Sequence, residues 1–177
     1  MRKVRSSLAA IALLVSACVP APQSPIASLI ENHRAAVFVF LAPDCPLSQD
    51  VTGTLDELHR QFEAAGIEFY AVFAGKPAVK GAAIFLKTYH VGFPDLPDAD
   101  LRLTDFLGAG ITPEAFVVDG NGQTVYSGAI DNRAADLGQR RLVVTENYLA
   151  DALDSLLKGS PVRVKRTKAV GCFIERV

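Results

Sequence analysis

The sequence predicts an α/β domain with a central mixed β-sheet flanked by helices. Short apolar runs alternate with segments of helical periodicity, and a turn-rich stretch joins two later runs as a hairpin. Half of the 177 residues are hydrophobic, which suits a single globular domain with a proper core. The formal net charge of −1 lacks the basic field that holds a phosphate backbone, so we expect no nucleic-acid partner.

The first 17 residues have the pattern of a secretory signal peptide. Three basic residues precede an eight-residue apolar run over 8–15, which is shorter than the roughly 20 residues that a membrane-spanning helix needs. The following Val-Ser-Ala-Cys resembles the bacterial lipobox, which is cut before a cysteine that then carries lipid. We therefore expect Cys18 to be lipidated, the alternative being an ordinary signal peptide with an incidental cysteine.

The chain divides into four predicted segments. The signal peptide covers 1–17, a proline-rich linker follows over 18–25, the folded domain covers 26–160, and a tail over 161–177 carries Cys172. A lipid on Cys18 implies a tether to a bacterial membrane, on the non-cytoplasmic side of the cell envelope. Val19 resembles the second residue of lipoproteins that are sent to the outer membrane, which weakly favours that membrane.

The first half of the domain predicts the order β-α-β-α. The continuous apolar run 36–41 suits a strand buried on both faces. From Leu47 to Ala65 apolar residues recur every three or four positions, which indicates an amphipathic helix that ends at Gly66. A second buried strand over 67–73 and a second helix from Gly75 to about Val91 follow, and the crossover predicts parallel strands.

The second half predicts a hairpin between two helices. Asp119-Gly-Asn-Gly is a strong signal for a tight turn between two strands. In chain order we expect a loop around Pro94 and Pro97, a short helix at 101–107, strands at 114–118 and 123–127, and a last helix from Val144 to Leu157.

Cys45 is the candidate nucleophile. It lies where the first strand ends and the first helix begins, with Pro46 in the first turn. Unpaired backbone N–H groups and the positive end of the helix dipole stabilise an anion there, so the thiol pKa should fall below its free value of about 8.5. The alternative is a buried, inert cysteine that packs as a small apolar side chain.

The segment Phe-Leu-Ala-Pro-Asp-Cys-Pro-Leu-Ser over 40–48 resembles the active-site turn of the thioredoxin-like superfamily. The stretch 110–119, with Thr112 and Pro113, resembles its second hallmark, in which the proline is cis and faces the cysteine. Segments 44–48, 126–133 and 170–174 are similar to the peroxiredoxin-like branch, known as redoxin or AhpC/TSA-like. The resemblance implies a thioredoxin-like fold and a groove where the Thr112 backbone meets an extended substrate and Pro113 shapes the wall.

Two departures separate this sequence from its relatives. Thioredoxins use Cys-x-x-Cys, but Ser48 stands at the fourth position, so a local disulfide cannot form. Peroxiredoxins carry Thr or Ser three residues before the reactive cysteine, where this chain has Ala42. If the tail folds back, Cys172 could serve as the second cysteine, although a purely structural bond or another use of Cys172 remain alternatives. Ser48 would then hydrogen-bond the Cys45 thiolate.

These residues predict a membrane-tethered thiol–disulfide oxidoreductase in which Cys45 attacks a substrate disulfide and Cys172 resolves the mixed disulfide. The alternatives are a peroxiredoxin-like thiol peroxidase, a monothiol protein that uses Cys45 alone, and a non-catalytic redoxin-fold binding module of the cell envelope. The expected partners are a disulfide-containing protein or a thiol reductant, together with the membrane through Cys18.

Neither a cofactor nor a metal is expected beyond the redox-active cysteines. The three histidines stand singly, without the spacing of a metal site, and His59 is expected on the solvent side of the first helix. The basic residues of the tail are expected to form a solvated strand edge, and proximity of Asp131 and Arg133 to Cys45 is left open.

Overall fold

The computed structural model describes residues 24–176. The expectations for the signal peptide, for Cys18 and for most of the linker lie outside the described residues. Within the described part, no helix combines the length and the apolar character that a membrane crossing needs.

The chain forms nine short strands and five helices within these residues. In order they are α1 (Ala27–Ile30), β1 (Ala35–Leu41), α2 (Pro46–Phe62), β2 (Ile67–Ala74), α3 (Gly75–Tyr89), β3 (Asp95–Asp98), α4 (Arg102–Leu107), β4 (Ile111–Thr112), β5 (Glu114–Asp119), β6 (Thr124–Gly128), β7 (Ala134–Asp136), β8 (Gln139–Arg140), α5 (Tyr148–Leu157) and β9 (Cys172–Phe173).

The central sheet has five strands in the order β3-β2-β1-β5-β6. Strand β1 runs parallel to β2 and antiparallel to β5, so the sheet is mixed, as the sequence predicts. All seven residues of β1 are buried because helices cover both faces of the sheet. Alternate residues of β1 point to opposite faces. Val37 and Val39 pack in the cluster with α2 and α5, whereas Phe38 and Phe40 pack in the cluster with α4.

Helix α2, the first helix that the sequence predicts, follows β1 after a four-residue turn. Cys45 is the N-cap of α2 and Pro46 is its first helical residue, where a proline loses no helical hydrogen bond. A 3₁₀ turn over Glu63–Ala65 follows α2, and Gly66 ends it with a φ of +81°, a conformation that favours glycine.

Three expectations about the elements are wrong. Residues 95–98 form a strand rather than a loop and pair in parallel with β2; Pro97 is tolerated because β3 is an edge strand. The last helix begins at Tyr148, not Val144. His59 is only 7% exposed and packs against the rings of Phe69 and Phe93, so it does not face solvent.

The tail returns along the free edge of β6 and then crosses to β4. Arg166 forms a parallel bridge with Ser127, while the basic residues around it stay exposed, in line with a solvated strand edge. The Thr167 hydroxyl bonds to the Tyr126 hydroxyl and to the Ala129 N–H. The chain then pairs β9 antiparallel with β4, which brings the tail to the end of the sheet where α2 begins.

Candidate active site

Cys45 is buried at the start of α2, opposite the Thr112–Pro113 bond. Its side chain is 0% exposed, and its thiol donates a hydrogen bond to the Thr112 carbonyl with an S···O distance of 3.2 Å. The Thr112–Pro113 peptide bond is cis, as the resemblance implies. The junction of β1 and α2 and the turn before β5 therefore face each other across the sulfur.

Cys172 lies beside Cys45 because β9 pairs with β4. In the register of this pair Cys172 stands opposite Thr112, the residue whose carbonyl contacts the Cys45 thiol. Each of these two thiols shifts the pKa of the other, as neighbouring thiols do, and both cysteines are free. The two cysteines, which are far apart in sequence, thus meet without a Cys-x-x-Cys motif.

Hydrogen bonds favour the ionised form of Cys45. Burial raises the pKa of this thiol, but four donors outweigh burial: the Cys172 thiol, the Ser48 backbone N–H, the Cys172 backbone N–H and the Ser48 hydroxyl. Because a donor stabilises the thiolate more than the thiol, the pKa of Cys45 lies below its ordinary value. The expected activation of Cys45 thus depends on the tail as well as on the helix.

The two thiols have unequal acidity. Burial, the hydrogen bond to Cys45 and the negative charges of Cys45 and Asp44 raise the pKa of Cys172 to about 12. One proton therefore stays on Cys172 when Cys45 is a thiolate. When Cys45 is ionised, the site thus holds a thiolate next to a neutral thiol. The thiolate is the species that reacts in thiol–disulfide exchange.

Ser48 and Pro46 support this arrangement from α2. The buried Ser48 hydroxyl accepts a hydrogen bond from the Ala42 N–H at 3.1 Å. Its own hydrogen is then free for the Cys45 sulfur, which is the role expected for this residue. Pro46 occupies the first helical position and has no N–H to donate, and the backbone N–H groups that lower the pKa of Cys45 are those of Ser48 and Cys172.

Thr112 and Pro113 were expected to receive an extended substrate. The backbone of Thr112 instead pairs with the chain's own β9, and the Thr112 hydroxyl donates to the Cys172 carbonyl at 3.4 Å. A Cβ on Gly171 would come within 2.0 Å of the Thr112 carbonyl oxygen, so the tail approaches this strand as closely as only glycine allows. In this conformation the groove beside Thr112 is filled.

A cleft adjoins the exposed side of Cys172. It has a volume of 190 Å³ and lies between β9 and the beginnings of α2 and α3. Its lining includes Ala42, Asp44, Pro77, Cys172, Phe173 and Glu175. Cys172 is half-buried whereas Cys45 is not exposed at all. Cys172 is therefore the sulfur that solvent and a partner thiol can meet.

Arg133 links the segment after β6 to α2 through an ion pair and hydrogen bonds. Its guanidinium pairs with Asp131 at 2.6 Å and donates to the Asp50 carbonyl at 2.7 Å and to the Thr54 hydroxyl. Arg133 also lines a small cavity with Leu47 and Pro113. These residues border the cis-proline side of the site, but no hydrogen bond links them to Cys45 among the described residues.

Residues 24–176 contain no cluster of three or more His, Cys, Asp or Glu side chains that could hold a metal ion.

Comparisons with known proteins agree with this geometry. The model of the AhpC/TSA family matches residues 24–127. A hypothetical protein from Sinorhizobium meliloti 1021 is 24% identical with a TM-score of 0.74, covering 85% of this chain and 84% of that one. An uncharacterised conserved protein from Geobacillus kaustophilus is 24% identical with a TM-score of 0.71, covering 84% and 80%. MTB DsbF, solved in mixed oxidised and reduced forms, is 22% identical with a TM-score of 0.53, covering 70% and 81%.

No curated protein matches the chain. The structural neighbours are too distant in sequence to show more than the fold. The family model covers more than half of the chain, including the whole β1-α2-β2-α3 unit and the cis-proline. Membership of this family supports a thiol-based redox role. The chain belongs to the AhpC/TSA family of redoxins and has a thioredoxin-like fold.

Proposed function

We propose that this protein is a thiol–disulfide oxidoreductase whose Cys45 and Cys172 cycle between a dithiol and an internal disulfide. The observation that carries the proposal is the pairing of β9 with β4, which places Cys172 opposite Thr112, the residue whose carbonyl accepts the hydrogen bond of the Cys45 thiol. Two neighbouring thiols with unequal pKa values can form a redox pair, whereas a lone buried cysteine cannot.

The cycle balances with a partner dithiol as the reductant. A partner thiolate attacks the Cys172 sulfur of the internal disulfide, and Cys45 leaves as the thiolate. The second partner thiolate then attacks the partner sulfur bound to Cys172, which closes the partner disulfide and releases Cys172, and Cys172 takes up a proton. The partner loses two electrons and the protein gains them; a protein or small-molecule disulfide reoxidises the pair by the reverse steps.

The burial of Cys45 affects which of the two cysteines a partner can reach. Direct attack by Cys45 on a partner disulfide, with Cys172 as the resolving cysteine, requires β9 to lift away from the site, because Cys45 is fully covered. Attack at the half-buried Cys172 needs no such movement. Cys45 is in both cases the thiolate that makes and breaks the internal disulfide, and it is the better leaving group because its pKa is the lower one.

Two alternatives are less well supported. Peroxiredoxins carry a Thr or Ser three residues before the reactive cysteine to bind peroxide, and this chain has Ala42 at that position. A non-catalytic binding module has no need for two thiols in contact. We also propose that Cys18 tethers the mature protein to a bacterial membrane on its non-cytoplasmic side, where disulfides persist.

Counting thiols tests the proposal. A chain that starts at residue 19 retains every residue of the two core clusters. Mass spectrometry after alkylation should find both cysteines protected under oxidising conditions, in a monomer, and both free after reduction. C45S and C172S are matched variants, since each leaves one thiol that cannot form the internal bond. Two thiols that stay free under a disulfide oxidant would refute the redox cycle.

A further inference from the structure

The edge of β4 at Thr112, where an extended substrate was expected to bind, is occupied by β9. A partner chain that leaves this pairing intact must bind elsewhere. The backbone of Thr112 pairs with Cys172, and the Ile174 N–H donates to the Gly110 carbonyl at 3.0 Å. An extended partner segment cannot pair with the same edge of β4 unless it displaces these bonds. The next available edge is the outer side of β9.

The hydrogen-bond pattern leaves one residue of β9 facing outward. Opposite residues of an antiparallel pair alternate between hydrogen-bonded and non-hydrogen-bonded positions. Since Ile174 bonds to Gly110, the pair formed by Phe173 and Ile111 is a non-hydrogen-bonded one. The N–H and C=O of Phe173 therefore point away from β4, and neither has a hydrogen-bond partner among residues 24–176.

The same pattern places Cys172 where a disulfide with an added strand can form. If an antiparallel segment pairs with Phe173 through two hydrogen bonds, the residue opposite Cys172 occupies a non-hydrogen-bonded position. The Cα atoms of such a pair are about 4.5 Å apart, within the range of roughly 4.4–6.8 Å that disulfides span. A cysteine at that point of the segment would meet the Cys172 sulfur directly.

The surroundings of this edge suit a partner peptide. The 190 Å³ cleft adjoins β9, and the side chain of Phe173 is 80% exposed beside it. Asp44 and Glu175 both line the cleft and are exposed. Two carboxylates favour positively charged side chains near the partner cysteine.

We propose that the outer edge of β9 is the docking site for an extended, cysteine-containing segment of a partner protein with basic side chains, which adds as an antiparallel strand and presents its thiol to Cys172. The inference rests on the proposed redox cycle and names the site at which its partner binds. Addition of a strand to an exposed edge supplies main-chain hydrogen bonds, and the cleft supplies the selection of side chains.

Backbone-modified peptides test the docking edge. The probe is acetyl-Val-Lys-Val-Cys-Lys-Val-amide. The readout is the second-order rate at which its thiolate attacks the Cys172 sulfur of the oxidised protein, forming the mixed disulfide and releasing the Cys45 thiolate. With the peptide cysteine opposite Cys172, the preceding valine pairs with Phe173. An N-methyl group on that valine removes the N–H that Phe173 would accept and should slow the reaction about tenfold. The same group on the lysine one residue earlier faces outward and should change the rate less than about twofold.

A protein variant tests the same bonds from the other side. F173P removes the outward N–H, whereas F173A keeps it and serves as the matched control for loss of the ring. F173P should react with the unmodified peptide about tenfold more slowly than F173A, while both should react equally with 2-mercaptoethanol, which needs no docking. Equal rates for the two methylated peptides, or for the two variants, would overturn the docking site. Failure of the wild-type protein to react with 2-mercaptoethanol would instead overturn the redox cycle and the docking site with it.

Discussion

Removing the thiol of Cys172 should raise the pKa of Cys45. Among the contacts that lower the pKa of Cys45, the contact with the Cys172 thiol has the largest effect. A hydrogen bond to a charged group contributes about 1.5–3 kcal/mol, and one pKa unit corresponds to about 1.36 kcal/mol. In C172A the pKa of Cys45 should therefore rise by about one to two units. In C172S, where a hydroxyl replaces the thiol, the rise should be clearly smaller.

The ultraviolet absorbance of the thiolate, followed by pH titration of the reduced protein, measures this pKa directly and needs no access to the buried sulfur. The double variant C45A/C172A supplies the baseline from tyrosines. A Cys45 pKa that is the same in C172A as in the wild-type protein would show that the tail does not activate Cys45. Equal shifts in C172A and C172S would show that packing, rather than the donated hydrogen bond, sets the pKa.

Four further changes have outcomes that urea unfolding can measure. G128A should destabilise the protein by about 2–4 kcal/mol, because its Cβ would lie 2.3 Å from the Thr167 carbonyl oxygen and its φ is +134°. H59L should be neutral or stabilising by up to about 2 kcal/mol, because the buried Nδ1 of His59 has no hydrogen-bond partner in the described structure. R133A should cost about 3–5 kcal/mol because it leaves the buried Asp131 without its partner. In reduced protein, the stability difference between wild type and C172A should fall as pH rises from 9 towards 12, since the unfolded Cys172 ionises before the folded one.

Matched controls separate these effects from general damage. Gly138 has a positive φ of +73° but open space around it, so G138A should cost only about 1 kcal/mol. Arg140 forms an exposed ion pair with Asp50, and R140A should change stability by less than about 1 kcal/mol. If G138A costs as much as G128A, the close approach of Thr167 is not the cause. If R140A costs as much as R133A, burial of Asp131 is not the cause.

The strand–helix frame of the site follows from local sequence signals. The run 36–41 has an apolar residue at every position. A strand that is buried on both faces requires such a continuous run, because its residues alternate between two apolar environments. Pro46 and the periodic apolar residues after it fix the start of α2 at Cys45. The identity of the second cysteine is not encoded locally in this way. Strand β9 has only two residues, which is too short for any periodicity, and its position depends on contacts that the tail makes with β6.

The wrong predictions for residues 95–98 and for His59 have a common physical cause. Strand β3 contains Pro97 and two aspartates, which disfavour a strand. Its place at the edge of the sheet, where a proline is tolerated, is a property of the whole sheet. His59 lies outside the apolar stripe of α2, but Phe69 and Phe93 come from other elements and cover its ring. In both cases distant parts of the chain decide the environment of the residue.

The anchoring of the tail on β6 sets the effective concentration of one cysteine at the other. The bonds of Thr167 to Tyr126 and Ala129 fix the chain shortly before Cys172, so folding itself, rather than chance encounter, brings the two sulfurs together. By thermodynamic linkage, whatever strengthens this anchor should also stabilise the proposed internal disulfide, and that disulfide would in turn hold the tail to the sheet. The proposed redox equilibrium should therefore be coupled to the stability of the tail, and substitutions at Thr167, which is not part of the candidate active site, should shift it.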